Sequence, residues 1–223
     1  MNSPRWFFRG CGLLLILGST MLSHGQDQWP RFRGVAGAGV SSQKGLPVQW
    51  EQEDYEWKTA LPGLGHGSPS VWNDHLFLVS AEADGKSRVL LDINTTTGKI
   101  RWQRKFTGQS YEKHELNSFA SATPATDGKY VVTLFASDQD FLVVAHDFAG
   151  QEIWKRDLGK FYNRHSHGCG TSPILFEGQV IIANQQDGAS SVVALDVATG
   201  KTRWKSERKV RLTAHSTPVG LAR

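Results

Sequence analysis

The sequence predicts an all-β fold, a partial β-propeller of about three four-stranded blades preceded by an N-terminal strand and not closed as given. Three observations carry this. Trp57, Trp102, Trp154 and Trp204 recur at intervals of 45, 52 and 50 residues. Ser68-Pro69, Thr123-Pro124, Ser172-Pro173 and Thr217-Pro218 keep phase with them, the first three prolines preceding the next tryptophan by 33, 30 and 31 residues. Between the two markers lie short runs rich in β-branched and aromatic residues, separated by turn residues, and no stretch sustains a helical period. A repeat of roughly 45–50 residues with four strands has the size of a propeller blade.

Taken in order, residues 1–25 read as a signal peptide. Arg5 and Arg9 precede an apolar stretch, Leu13 to Leu22, and Ser23-His24-Gly25 offers small residues at the positions a signal peptidase reads. The stretch is too short to span a bilayer comfortably, and an uncleaved N-terminal anchor is the alternative to a cleaved signal. No transmembrane span is expected after cleavage, and the chain is expected to be periplasmic or secreted. Cys11 precedes the apolar stretch, where a lipid-bearing cysteine would follow it. Without Arg5 and Arg9, 23 of the 25 basic residues remain against 21 acidic ones. They are scattered rather than clustered on one element, so no nucleic-acid partner is expected. Cys169 is then the one cysteine left, a buried small hydrophobe or a reactive thiol, and no internal disulfide is available.

Residues 26–60 are expected to supply the outer strand of a closing blade, ending on Trp57. Residues 61–223 hold the repeats, with blades at about 66–105, 119–157 and 170–206 and the next beginning near 215. Within a unit, Asn73-Asp74, Asp127-Gly128 or Glu177-Gly178 turns the chain into Leu76–Val79, Tyr130–Phe135 or Val180–Ala183. A further strand follows each, Arg88–Leu91, Phe141–Ala145 and Ser191–Leu195. A tight turn at Gly98, Gly150 or Gly200 then leads into the strand bearing Trp102, Trp154 or Trp204, since glycine takes positive φ without penalty. A single sheet cannot bury both faces, so a large flat indole at one position per blade is expected to pack across the seam to its neighbour. Asp92, Asp147 and Asp196 are expected to accept hydrogen bonds from turn amides and fix the hairpins. These markers read as structural. Asn94-Thr95-Thr96 fits a glycosylation sequon but reads as turn composition.

The phrase Ala194-Leu195-Asp196-Val197-Ala198-Thr199-Gly200-Lys201-Thr202-Arg203-Trp204 resembles the tryptophan-docking repeat of PQQ-type quinoprotein propellers. Trp29-Pro30-Arg31-Phe32-Arg33-Gly34, Leu61 to Pro69 and Asn117 to Pro124 complete a resemblance to the secreted PQQ-binding-like β-propeller repeat proteins of planctomycete-type bacteria. That resemblance covers nearly all of residues 26–223. It implies a propeller and, in enzymes of the wider group, PQQ held with Ca²⁺, a catalytic Asp and a pair of adjacent cysteines. Here Cys169 stands between Gly168 and Gly170, and no acidic cluster offers the six or more oxygens a hard cation takes. No cofactor, metal or catalytic residue is therefore assigned. The expected function is a noncatalytic secreted or periplasmic scaffold for a protein or small ligand. The alternative is a PQQ-dependent alcohol or sugar oxidoreductase in full-length form, since fold alone does not fix function. Three complete units, an entry strand and the start of a fourth are too few to close a propeller, so the chain is expected to be an N-terminal fragment, needing further C-terminal blades or another chain for closure.

Candidate ligand residues come from histidine placement. His66, His114, His165, His167 and His215 all fall shortly before a Ser/Thr-Pro, in segments joining one blade's outer strand to the next blade's inner strand. In a propeller such segments converge on the central channel, so these imidazoles, with Asn117 and Ser121, are expected to face a common funnel. Imidazole binds transition metals and titrates near neutrality, though loop histidines also cap turns. His165-Ser166-His167 alone is no zinc motif. A G-x-S-x-G elbow is absent, which argues against a serine hydrolase. The glycine-rich Gly34 to Gly39 joins no strand to a helix, so a phosphate loop is not supported.

Overall fold

The computed structural model describes residues 28–164, 167–209 and 212–221. The signal segment and His165 lie outside them. Among the described residues, twelve strands form three four-stranded antiparallel sheets in meander order. Sheet one holds β1 (Ser70–Trp72), β2 (His75–Ala81), β3 (Ser87–Asn94) and β4 (Ile100–Thr107). Sheet two holds β5 (Ala125–Thr126), β6 (Tyr130–Ala136), β7 (Phe141–Asp147) and β8 (Glu152–Asp157). Sheet three holds β9 (Ile174–Phe176), β10 (Gln179–Asn184), β11 (Ser190–Asp196) and β12 (Thr202–Arg208). The open, all-β, three-bladed architecture is the one the repeat predicts.

Local chemistry sets each hairpin. The two-residue turn Glu177-Gly178 takes positive φ at both positions, 48° and 70°, which matches the twist of the strands it joins. Each third-to-fourth strand turn pivots on a glycine with φ of 68°, 77° or 67°, at Gly98, Gly150 and Gly200 respectively. A β-bulge recurs just before it, at Asp92/Ile93, Ala145/His146 and Ala194/Leu195. The middle strands of sheet two are apolar on both faces because that sheet is sandwiched between its two neighbours. Phe141 through Ala145 is continuously buried, and the outer strand β8 buries little besides Trp154.

The core lies in the seams. One cluster joins sheets one and two through Phe77, Val79, Leu90, Val131, Phe135 and Val144. Another joins sheets two and three through Val132, Val143, Trp154, Ile182, Val193 and Leu195. The inner strands β1, β5 and β9 are neighbours, so β4, β8 and β12 lie at the rim. The Ser/Thr-Pro positions tie that inner ring together. The Ser68 N–H donates to Thr123 Oγ1 (3.1 Å), the Thr123 N–H to Ser172 Oγ (2.9 Å), and the Ser172 N–H to Thr217 Oγ1 (3.2 Å).

The N-terminal segment differs from the expected strand. Between Gln28 and Pro69 it forms isolated bridges and two short 3₁₀ turns, Val35–Gly37 and Gln52–Asp54. A strand requires a ladder partner, and no companion strands of that blade lie among the described residues. Trp29 exchanges backbone hydrogen bonds with Val71, and Pro30 O accepts from the Thr126 N–H, so this segment straps two inner strands together.

Candidate functional site

The tryptophans act as directional seam pins. Each indole N–H donates to a turn carbonyl of the following unit: Trp57 to Thr95 (2.7 Å), Trp102 to Phe148 (2.9 Å) and Trp154 to Val197 (2.7 Å). Each ring lies over the turn glycine of that unit, Gly98, Gly150 or Gly200, where a Cβ would fall within 2.6–2.8 Å of ring carbons. Glycine is required there by close approach as well as by φ. The residue two beyond each tryptophan seals the same glycine carbonyl. Thr59, Arg104 and Arg156 donate to the carbonyls of Gly98, Gly150 and Gly200. Trp204 has no such unit to meet among the described residues. It stays 42 % exposed and donates to Gln179 of its own sheet.

The turn acids need one correction. Asp196 Oδ1 accepts from the Ala198 and Thr199 amides and the Thr199 hydroxyl, and Asp147 Oδ1 accepts from Gln151 N–H, as expected. In sheet one that role belongs to Asn94, which accepts from Thr96 N–H, Thr97 N–H and Thr97 Oγ1. The two turns have the same length, and counting back four residues from Gly98 and Gly200 reaches Asn94 and Asp196, which places Asp92 two residues earlier, inside the strand. Asp92 opposes Trp102, as Ala145 opposes Trp154 and Ala194 opposes Trp204. It is fully buried, meets His75 Nδ1 at 2.8 Å, and leaves Oδ1 without a partner. Desolvation pushes its carboxyl above the ordinary range, opposed by the His75 hydrogen bond. Arg101 Nη1 lies 2.9 Å from His75 Nε2 and 3.2 Å from its Nδ1.

The crossovers and the second-to-third strand hairpins lie at one end of the blades, because successive strands are antiparallel. Here the structure brings three of the expected histidines together. His114 and His167 have ring centroids 5.0 Å apart, and His167 and His215 lie 6.4 Å apart, edge to face. His66 stands outside this group. It is exposed, and its backbone N–H bonds to Ala120 O and Ser118 Oγ. Asn117 is a positioning residue: its amide donates to His167 O, and its Oδ1 accepts from Ser118 N–H and Ser121 Oγ. The Ser118–Ser121 hydroxyl pair has no imidazole partner in this network.

Beside the histidines, a recess of ≈ 240 Å³ is lined by Tyr111, Glu112, Ser137, Phe161, Asn163 and Arg164. Behind it Arg88 is almost wholly buried and anchors the crossover through Gln109 O at 3.2 Å. Burial pushes the Tyr111 hydroxyl up to about 12 and the Cys169 thiol up to about 12, so Cys169 is a poor thiolate and behaves as a packing residue. Among the described residues no three His, Cys, Asp or Glu side chains converge as metal ligands. The crossover end thus presents polar, partly exposed side chains on a rigid seam-pinned frame. That arrangement can hold a ligand, and among the described residues it pairs no nucleophile with a base.

A family model described as outer membrane protein assembly factor BamB matches residues 35–160 and, overlapping, 86–222. The chain belongs to this family. Polyvinylalcohol dehydrogenase of Pseudomonas is 23 % identical over 197 residues, 81 % of this chain and 29 % of that protein. A quinohemoprotein alcohol dehydrogenase from Comamonas testosteroni aligns with TM-score 0.48 and 19 % identity, covering 81 % of this chain and 27 % of that one. A europium-containing methanol dehydrogenase aligns with TM-score 0.49 and 15 % identity, covering 68 % and 26 %. The chain therefore spans less than a third of the length of these relatives.

The sequence marked the seam tryptophans and glycines but missed the inner Ser/Thr belt and the arginines two beyond Trp102 and Trp154. The belt had a visible signal in the hydroxyl residue before every repeat proline. Nothing in the sequence pointed to Asp92 as a buried partner of His75.

Proposed function

We propose that the chain is a noncatalytic binding scaffold of the periplasm or secreted space, whose crossover end contacts a protein or small ligand. One observation carries this. The repeat's distinctive side chains are engaged in seams and turns, while other polar side chains collect on the crossovers, where the His167 ring meets those of His114 and His215. The match to an assembly-factor family supports the same reading.

The likeness to polyvinylalcohol dehydrogenase favours a second reading, a PQQ-dependent oxidoreductase in a longer protein. The described donor set does not fit a Ca²⁺–PQQ pair: no three ligating side chains converge, and Cys169 has glycine neighbours on both sides. In that reading the cofactor's ligands come from outside the described residues. Reconstitution with PQQ and Ca²⁺ separates the two. The scaffold reading expects no retained quinone absorbance and no dye reduction with alcohols or sugars, and quinone-dependent dye reduction would overturn it.

A further inference from the structure

Cations that look scattered in sequence are gathered by the fold onto its rim. β4 carries Arg101, Arg104 and Lys105, β8 carries Lys155 and Arg156, and β12 carries Arg203, Lys205 and Arg208. Asp74, Asp196 and Glu207 pair with Arg101, Arg203 and Lys205. Among the described residues, Arg104, Lys105, Lys155, Arg156 and Lys160 make no ion pair. Arg104 is held by the carbonyls of Gln103, Ala149 and Gly150, and Arg156 by that of Gly200. A neutral carbonyl fixes a guanidinium without cancelling its charge.

These unneutralised cations line two grooves where the seams open at the rim. The groove between sheets one and two, ≈ 580 Å³, has Arg104, Lys105 and Lys155 against a single acid, Glu152, with Phe106 and Leu142 beside them. The groove between sheets two and three, ≈ 470 Å³, has Arg156 and Lys160 against Asp157, beside the Glu207-paired Lys205, with Leu158 and Val193. Asp157 Oδ1 already accepts from the Phe141 and Gly159 amides, at 3.2 and 2.9 Å. A cleft lined with one sign of charge focuses its field. Lysines on exposed outer strands also guard edges against unwanted pairing, but that role would aim them at solvent, whereas Arg104 and Arg156 are turned into the seams.

We propose that these rim grooves dock an extended acidic polypeptide segment, its carboxylates meeting the Arg/Lys walls and its apolar side chains meeting Phe106 and Leu142 or Leu158 and Val193. Two features select this partner. A flat bilayer surface cannot enter a recess between neighbouring strands, and a sulfated polysaccharide brings no apolar side chains for the groove walls. The proposal gives the scaffold a partner class and rests on that reading.

The test titrates a labelled random glutamate–tyrosine copolymer into the full chain at low salt. It compares Lys105→Gln/Lys155→Gln/Lys160→Gln with an equally charged control, Lys44→Gln/Lys86→Gln/Lys99→Gln. Thermal melts confirm that both variants fold. The groove variant is expected to bind about tenfold more weakly, from three lost charge pairs of modest strength each, and the control within twofold. Equal weakening in both variants, no binding by the unmodified chain, or tighter binding of dextran sulfate or of phosphatidylglycerol vesicles than of the copolymer would each overturn the proposal. Quinone-dependent dye reduction would remove the scaffold reading whatever the rim binds, whereas loss of copolymer binding removes only the rim proposal.

Discussion

His146 shows how a single polar residue sets the acid response of a seam. It stands at the bulge of sheet two, where the other sheets carry Ile93 and Leu195. Its ring packs against Trp102 and Phe106, it is 1 % exposed, and its Nδ1 has no partner. Burial, with Arg104 nearby, lowers its pKa from 6.5 to about 4. The folded state therefore prefers neutral imidazole. Its contribution is intact above 6.5 and is lost as the pH falls towards about 4. A tenfold difference in proton affinity between the folded and unfolded chain corresponds to about 1.4 kcal/mol. His146→Leu, which restores the aliphatic residue of the sister sheets, should stabilise the chain more at pH 5 than at pH 8 by an amount on the order of 1–2 kcal/mol. Denaturant melts at the two pH values check this, and a gain independent of pH would assign the effect to packing alone.

At the level of the hairpin, a turn glycine answers to two constraints that one pair of positions can separate. Gly178 and Gly200 have nearly the same φ, 70° and 67°, but a Cβ on Gly178 meets nothing within 4 Å while one on Gly200 meets the Trp154 ring at 2.7 Å. Gly178→Ala should cost about 1–2 kcal/mol, from left-handed backbone alone. Gly200→Ala should cost visibly more, about 3 kcal/mol or above, because the indole must leave its carbonyl at Val197. Thermal or denaturant melts of the two variants measure the difference, and equal losses would show that the indole docks without needing the glycine. The strand runs and glycine turns were legible in the sequence because β-branched runs and turn residues are local signals. The Asp92 role was missed, since Leu91-Asp92 and Leu195-Asp196 match letter for letter, whereas counted back from the turn glycine it is Asn94 that stands where Asp196 does.

For the whole molecule, blade number and the role of the tryptophans as seam packers could be read from periodicity, because a repeat writes each seam several times. The convergence of His114, His167 and His215 without His66 could not, because crossover paths depend on packing that no repeat encodes. Seam direction follows from the same pins. Every docked tryptophan reaches forward to the next unit, and among the described residues nothing meets the corresponding surface of sheet three. Every residue of β12 is exposed, and Trp204 is 42 % exposed where Trp154 is 8 %. An open sheet with a free edge and an uncovered indole is a template for further packing. Expressed by itself, the chain should therefore self-associate through this face. Sedimentation equilibrium should show a concentration-dependent rise in mass that Trp204→Arg largely removes, while Trp50→Arg, at another exposed tryptophan, leaves it in place. Identical masses for the unmodified chain and the Trp204 variant would mean that the forward face of sheet three does not drive association, and that the seam pins act only between blades already joined by the chain.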